Sequence, residues 1–309
     1  MAGNQRVYKQ RIRSTQTLQK VFRAMELIAS SRIGAARRNA QEAGPYDDAL
    51  SQAVAALGTY SHLDDHPITR RRTDTQRVAV LVVTSDRGMA GAYSATILRE
   101  SEKLLEQLSA SGREPMVFTF GRRAQSYFSF LGRAVEYSWV GESDRPSDHS
   151  IDELARVLLE YFLAPVSAGG VAELHIVFTR YVSMVTQVPE VRRMLPLKIV
   201  DVTGPGELDR SEDADAQTFD SSPLYEFEPS QDAVLDALLT RYVCSRIRNA
   251  LLQAAASELA SRQQAMHTAT DNAEELITTY TRLANAARQS DITQEITEIV
   301  SGADSLGPE

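Results

Sequence analysis

A glycine-containing loop after an apolar run is the first place where this sequence could do chemistry. The loop, Asp86-Arg87-Gly88-Met89-Ala90-Gly91, follows the run Val78 to Val83, which is short and β-branched and therefore predicts a buried strand. Phosphate-binding loops occupy this position in doubly wound folds. Here the three-glycine pattern is incomplete, and no lysine in the chain is followed by the Ser or Thr of a nucleotide-hydrolysing loop. A tight strand-to-helix turn is the better interpretation of these glycines.

Histidines and carboxylates give a second candidate site. His62 and His66 bracket Asp64 and Asp65, a spacing that would present metal ligands if the segment were helical. Pro67 follows at once and favours a solvated turn instead. No Gly-x-Ser-x-Gly elbow and no carboxylate pair in a recognisable frame occurs. The sequence therefore predicts no catalytic residue, no metal site and no cofactor.

Charge is distributed unevenly along a chain whose net charge is −8. An acidic stretch lies between Glu207 and Glu228, whereas the first 43 residues are strongly basic. The basic residues there are Arg6, Lys9, Arg11, Arg13, Lys20, Arg23, Arg32, Arg37 and Arg38. A nucleic-acid interface is one reading of this basic segment, but Tyr8 and Phe22 are its few aromatic residues, so base stacking is disfavoured. A helix face that meets acidic protein or lipid head groups is the better interpretation.

Composition sets the limits within which the fold must lie. The 309 residues suffice for one large domain or two smaller ones, and no run of eighteen apolar residues is present. The first residues lack the apolar segment of a secretory signal, so we expect a soluble protein made in the cytosol. The single cysteine, Cys244, rules out a disulfide framework and a zinc site of paired cysteines.

The last quarter of the chain predicts one long helix. Residues 230–301 contain neither glycine nor proline, and Pro229 and Gly302 flank them. At about 1.5 Å per residue this helix would reach roughly 100 Å. Its apolar residues form a narrow heptad seam, which is stable in water only against a partner helix. The expected seam consists of Leu252, Leu259, Met266, Ala273, Tyr280 and Ala287, with Ala255, Ala269, Leu276 and Leu283 interleaved.

The partner helix is predicted at the other end of the chain. Residues from about Gln5 to Tyr60 read as helix, with Gly44-Pro45 as an expected kink or break. The expected buried face consists of Leu18, Val21, Phe22, Met25, Ile28 and Ala29. Because the two helices lie at opposite ends of the chain, their pairing predicts an antiparallel coiled coil.

Between these helices the pattern alternates between strand and helix. Expected strands are 78–83, 116–120, 135–139, 173–180 and 197–202, and expected helices are 93–108, 122–131 and 151–162. This alternation predicts a mostly parallel sheet covered by helices, that is, a Rossmann-like α/β domain. The resulting organisation is a coiled-coil helix at 1–62, an α/β domain at 76–203, an acidic loop at 204–228 and a second coiled-coil helix at 229–309.

The end of the long helix carries an apolar stripe. Ile292, Ile296, Ile299 and Val300 extend beyond the reach of the shorter N-terminal helix, so we expect them to be exposed in the isolated chain. An exposed apolar tip on a long helix pair implies a socket in another protein.

Four stretches of this sequence resemble one family. The segment from Arg288 to Ala303 resembles the signature of the gamma subunit of F-type ATP synthase. The segments Ala24 to Arg32, Ser85 to Gly88, and Ala265 to Ala273 resemble the same family in the same order. The resemblance covers essentially the whole chain, and the C-terminal motif is highly specific.

The resemblance implies a central rotor stalk with no catalytic or cofactor site of its own. The stalk would turn inside the head formed by the alpha and beta subunits and stand on the c-ring, with the epsilon subunit beside the α/β domain. Head contacts are implied at Met25, Arg262 and Gln289, and the apolar tip argument adds Ile292, Ile296 and Ile299. Contacts to the c-ring are implied at Tyr225, Glu226 and Glu228. The implied location is the cytoplasmic face of a bacterial plasma membrane, as a peripheral protein without a nucleic-acid partner. The alternative is a free-standing α/β nucleotide-binding enzyme with coiled-coil arms.

Overall fold

The computed structural model describes residues 2–60, 67–197 and 231–304. The chain divides into two compact units: Met1–Ser31 with Arg262–Glu309, and Arg32–Ser261. The two longest helices, α1 (Ala2–Tyr60) and α5 (Gln231–Asp304), each contribute to both units. The segment boundaries expected from sequence remain a prediction, and residues 204–228 lie outside the described residues.

In the first unit α1 and α5 pair in antiparallel orientation. Tyr8 stacks on Tyr280 with ring centroids 6.5 Å apart, and farther along α1 Glu26 Oε1 lies 3.0 Å from His267 Nδ1. Moving toward the C-terminus of α1 therefore moves toward the N-terminus of α5. This confirms the predicted antiparallel coil of terminal helices, which flank a central α/β sheet in the sequence.

The paired faces follow a heptad repeat in both helices. Buried and half-buried positions recur at intervals of three and four residues, as knobs-into-holes packing requires. On α1 they are Gln5, Tyr8, Ile12, Thr15, Gln19, Phe22, Glu26 and Ala29. On α5 they are Met266, Thr270, Ala273, Ile277, Tyr280, Ala284, Ala287 and Asp291.

Some predicted seam positions were wrong. Leu18, Val21 and Ile28 are exposed, because the α1 repeat runs through Phe22 and Ala29 and places these three residues on another face. On α5 Leu276 is exposed and the adjacent Ile277 takes the seam position. Leu276 and Ile277 are both apolar, so the local sequence pattern fits either of them as the seam residue.

Of the kink or break expected at Gly44-Pro45, the break was wrong, because α1 continues through Pro45. The kink stays a prediction. A proline inside a helix leaves the carbonyl four residues earlier without its backbone donor. That carbonyl belongs to Gln41, and both Gln41 and Pro45 are exposed, so water can satisfy it.

The second unit contains a five-stranded sheet in the order β3-β2-β1-β4-β5. Strands β1 (Arg77–Val83), β2 (Glu114–Phe120), β3 (Val135–Trp139) and β4 (Glu173–Tyr181) are parallel, whereas β5 (Gln187–Leu195) pairs antiparallel with β4. Helices α2 (Tyr93–Ala110), α3 (Arg122–Phe130) and α4 (Asp148–Leu163) connect the parallel strands. The predicted mostly parallel α/β sheet is confirmed.

Strand β5 was missed by the sequence analysis. It contains Pro189, and its positions up to Arg193 are a mixture of exposed and half-buried, which is acceptable on the edge of a sheet but unlike a buried strand. The strand expected at 197–202 falls outside the described residues from 198 onward.

The central strand β1 is buried on both faces. Ala79, Leu81 and Val83 join the core formed with α4, β4 and α5, while Val78, Val80 and Val82 join the core formed with α2 and α3. This two-sided burial explains the uninterrupted apolar run that predicted the strand.

Candidate functional site

The crevice at the carboxyl ends of β1 and β4 is where a doubly wound sheet of this order would bind a ligand. From β1 the chain builds outward through β2 and β3 on one side and then returns to place β4 on the other. Ligands of such folds bind at this reversal of strand order. A nucleotide bound by this domain would therefore lie in this crevice.

Helix α5 occupies this crevice. Ser257 Oγ donates to the carbonyl oxygen of Thr179 (3.1 Å), and the amide of Tyr181 donates to Gln253 Oε1 (3.1 Å). Tyr93 Oη, at the start of α2, donates to the carbonyl oxygen of Ala254 (3.1 Å). Residues 254–260 of α5 are all buried. The groups that would face a ligand here are bonded to the chain's own helix.

The loop after β1 is also committed to internal contacts. Asp86 Oδ1 accepts from the amide of Arg122 (3.0 Å), and Oδ2 accepts from the amide of Ser143 (2.9 Å). The backbone is left-handed at Met89 (φ 61°) and Gly91 (φ 58°), which fits the tight-turn interpretation. A carboxylate held in this loop opposes a bound phosphate by like charge.

A buried ionisable cluster lies toward the amino end of β4. His175 Nε2 lies 2.9 Å from Glu173 Oε2, and the Arg113 guanidinium lies 3.3 Å from Glu173 Oε1. Burial lowers the pKa of His175 below its ordinary value, and the charge of Arg193 adds to this, although Glu173 opposes it. Burial alone would raise the pKa of Glu173, but its contacts with His175 and Arg113 hold it below its ordinary value. The cluster lies between strands and has the character of a structural ion pair.

The histidine and carboxylate segment weighed as a metal site and the single cysteine have different outcomes. His62, Asp64, Asp65 and His66 lie outside the described residues. Within residues 2–60, 67–197 and 231–304 there is no group of three or more His, Cys, Asp or Glu side chains that could hold a metal ion. Cys244 is half-buried, and burial raises the pKa of its thiol, which keeps it protonated near neutral pH.

The residues predicted to contact a catalytic head all lie in the first unit but differ in exposure. Ile296 and Ile299 are 56% and 71% exposed, and Ile292 and Gln289 are exposed as well. Met25 is half-buried. Arg262 is only 6% exposed in the isolated chain. The residues predicted to contact a c-ring, Tyr225, Glu226 and Glu228, lie outside the described residues.

Sequence reasoning missed a second exposed apolar stripe, on α1. Leu18, Val21, Met25 and Ile28 are spaced by three, four and three residues, so they share one helix face beside the seam. Three of the four are exposed and Met25 is half-buried. Extending the heptad of Phe22 and Ala29 along the whole of α1 would have separated this stripe from the buried seam.

No helix of the described residues combines the length and the hydropathy needed to cross a lipid bilayer.

Comparison with known proteins identifies close relatives. A family model described as ATP synthase matches residues 4–306. The ATP synthase gamma chain of Beutenbergia cavernae is 59% identical over 306 residues, covering 99% of both chains. The gamma chain of Bifidobacterium adolescentis is 50% identical over 306 residues, covering 98% of both.

Solved structures share the fold at low sequence identity. A chain in the structure of Euglena gracilis mitochondrial ATP synthase, OSCP/F1/c-ring, rotational state 3, has a TM-score of 0.63 at 15% identity and covers 99% of this chain and 95% of its own. A chain in the rotor of the same enzyme in rotational state 1 has a TM-score of 0.62 at 16% identity, with coverage of 94% and 100%.

The described residues define a protein of two long, antiparallel terminal helices and a doubly wound domain whose ligand crevice is filled by one of those helices. The identity over nearly the full length of two curated relatives specifies it further. The chain belongs to the ATP synthase gamma chain family.

Proposed function

We propose that this chain is the central rotor shaft of a bacterial F-type ATP synthase and that it carries no catalytic site. The observation that carries this proposal is the 59% identity to an ATP synthase gamma chain over 99% of both chains. The filled crevice between β1 and β4 supports the non-catalytic part, because the usual ligand position of the fold is taken by Gln253, Ala254 and Ser257. The nucleotide-binding alternative would have to displace α5 from the sheet.

The proposed shaft transmits torque without doing chemistry. A proton crossing the membrane releases about 2.3 kcal/mol per 100 mV, and the ring on which the shaft stands gathers several such steps for each ATP. Each orientation of an asymmetric shaft presses a different catalytic subunit toward a different nucleotide affinity. The shaft must be stiff if its orientation is to bias the catalytic subunits. Close helix packing through Ala29, Ala273 and Ala284 supports such stiffness.

The end of the shaft inside the head would be the first unit. Two exposed apolar surfaces support this assignment: the stripe Leu18, Val21, Met25 and Ile28 on α1, and the stripe Ile292, Ile296 and Ile299 on α5. Apolar side chains this exposed on a helix pair are stabilised when another protein covers them. The covering partners would be the alpha and beta subunits, with Gln289 and Arg262 as further contacts.

The same proposal also assigns the contacts with the c-ring and the epsilon subunit. The c-ring would contact Tyr225, Glu226 and Glu228, and the epsilon subunit would lie beside the α/β domain. The chain would then be a peripheral protein on the cytoplasmic face of the plasma membrane, held there by the ring.

Reconstitution of the catalytic head tests the proposal. The purified chain alone should show no ATP hydrolysis and no saturable ATP binding by calorimetry, whereas addition to alpha and beta subunits should yield a complex that hydrolyses ATP. Ile296→Asp should weaken association with the head by about tenfold or more, because a charge would be desolvated in an apolar contact.

Val185→Asp is the matched control, since Val185 is 81% exposed and lies in the β4–β5 hairpin. It should associate like the natural chain. Tight ATP binding by the chain alone, or equal loss of association in both variants, would refute the proposal.

A further inference from the structure

A basic pocket lies in the second unit at the end of the sheet opposite the α5-filled crevice. Its walls are the segment that leads into β1, residues 67–74, and the end of α4 with the turn after it, residues 162–165. The pocket has a volume of about 450 Å³. The run Arg70-Arg71-Arg72 lines one wall, and within the described part of the chain Arg72 alone of the three forms hydrogen bonds and an ion pair.

Arg72 builds the wall of the pocket. Its guanidinium donates to the carbonyl oxygens of Phe162 (2.8 Å), Ala164 (2.8 Å) and Val171 (3.4 Å). Carbonyl groups at a helix end have no partner within the helix, so Arg72 supplies the missing donors at the end of α4. Gly170 allows the close approach, because a Cβ there would lie 2.1 Å from the carbonyl oxygen of Ala164. The wall is therefore held by hydrogen bonds and close packing.

Asp74 is neutralised by the same arginine. Arg72 donates to both carboxylate oxygens of Asp74 (3.1 and 3.0 Å), and this hydrogen bonding holds the pKa of Asp74 below its ordinary value. Among the residues that line the pocket, Asp74 is the one carboxylate. It offsets one of the three arginine charges, since it is hydrogen-bonded to Arg72 and also interacts electrostatically with Arg70.

Arg70 and Arg71 are available for a ligand. Both are exposed, and neither forms an ion pair with a carboxylate of the residues that the structure describes. Three guanidinium groups and one carboxylate thus give the pocket a net charge of +2. Guanidinium groups match the planar, two-pronged hydrogen bonding that phosphate oxygens accept, which makes phosphate the anion that fits best.

The rim of the pocket adds an apolar surface. Leu163 lines the pocket and is 53% exposed, and Val166 is exposed two residues beyond Ala164. Apolar side chains beside two adjacent exposed arginines suit a phosphate that is attached to an apolar group. We propose that this pocket binds a phosphate group and that its source is the headgroup of an anionic phospholipid.

Vesicle binding by the purified full-length chain tests the inference. The probes are vesicles of phosphatidylcholine mixed with phosphatidylglycerol, vesicles of phosphatidylcholine alone, and inorganic phosphate in solution. The double substitution Arg70→Gln with Arg71→Gln should reduce binding to the phosphatidylglycerol vesicles by about 25-fold, since each basic residue near an anionic surface contributes about a factor of five. Arg122→Gln with Arg123→Gln is the matched control, because these neighbouring arginines on α3 are also exposed and lie outside both the pocket and the basic N-terminal segment.

The control pair should bind phosphatidylglycerol vesicles like the natural chain. Neither protein should bind vesicles of phosphatidylcholine alone. Thermal unfolding of each variant establishes that the fold is kept. Binding of inorganic phosphate that depends on Arg70 and Arg71, without vesicle binding, would support the phosphate site and overturn the lipid as its source. No binding of either probe, as expected for an acidic protein partner, or equal loss in both variant pairs, would overturn the inference.

Discussion

At Gly121 the chain leaves β2 in a conformation that no other residue type would accept. Its φ is 101°, and a Cβ at this position would lie 2.1 Å from the carbonyl oxygen of Thr84. The turn matters because it brings the start of α3 against the loop after β1, where Thr84 Oγ1 accepts from the amide of Ala124 (2.9 Å). The connection between β2 and α3 is thereby fixed to the loop after β1.

Gly121→Ala should lower the free energy of unfolding by about 3 kcal/mol or more, because it combines a left-handed backbone with a steric overlap. Gly112→Ala is the control, since Gly112 also has positive φ (75°) but open space around it. That substitution should cost about 1 kcal/mol. Urea unfolding of both variants measures the difference, and equal losses would contradict the proposed overlap.

His175 predicts how stability depends on pH. Its pKa is lowered in the folded protein by burial, so the unfolded chain binds more protons as the pH falls below about 6.5. Its contribution is therefore fully present above that pH and is lost as the pH falls toward the folded value. Glu173 has a lowered pKa too, so a further loss should follow below about pH 4.5.

His175→Gln keeps a donor for Glu173 but removes the titration. The decline in unfolding free energy as the pH falls below about 6.5 should become shallower in this variant, as measured by denaturant unfolding at a series of pH values. Ile176→Val, at the neighbouring buried position of β4, changes no titratable group and should leave the decline as it is in the natural chain. An unchanged slope in His175→Gln would show that the buried histidine is not its cause.

At the scale of elements, regular patterns were predictable and choices between neighbouring apolar residues were not. The 74-residue helix α5 could be predicted because glycine and proline are absent from it up to Ser301. Strand β1 could be predicted because burial on both faces leaves an unbroken apolar run. The seam residues were harder, since Leu276 and Ile277 both suit an apolar position and only pairing with α1 selects Ile277.

The filled crevice could not be predicted at all. Ser257 and Gln253 are small or polar residues within a long helix, and nothing in their spacing relates them to Thr179 and Tyr181. These hydrogen bonds depend on how α5 packs against β4, and the two elements are far apart in the sequence. The same holds for Arg72, which shares the run Arg70-Arg71-Arg72 with two exposed neighbours but is bonded to the end of α4.

The heptad seam gives a prediction for a pair of alanines on α5. Ala284 is buried in the seam and Ala286 is exposed two residues later. Ala284→Glu should destabilise the helix pair by several kcal/mol because it buries a carboxylate in the seam against α1. Ala286→Glu, with the same change in size and charge, should be nearly neutral.

Thermal unfolding of the isolated chain, followed by helical circular dichroism, measures this difference. If both variants unfold at the same temperature, the register assigned to the seam is wrong.

At the scale of the whole molecule, exposed apolar surfaces and buried polar contacts indicate different roles. The crevice that a nucleotide would need is closed by internal hydrogen bonds, whereas the apolar stripes of the first unit remain open in the isolated chain. A chain of this kind works through its partners, and membership of the ATP synthase gamma chain family names the assembly in which those partners are sought.

The most direct test of the proposed function is observation of rotation in the reconstituted head. The alpha and beta subunits are fixed to a surface, and a bead is attached to an added cysteine in place of Val185, with Cys244 replaced by serine. We expect the bead to turn continuously in one direction while ATP is hydrolysed and to stop when ATP is removed. A head that hydrolyses ATP at an undiminished rate while the bead stays in one orientation would contradict the proposed function.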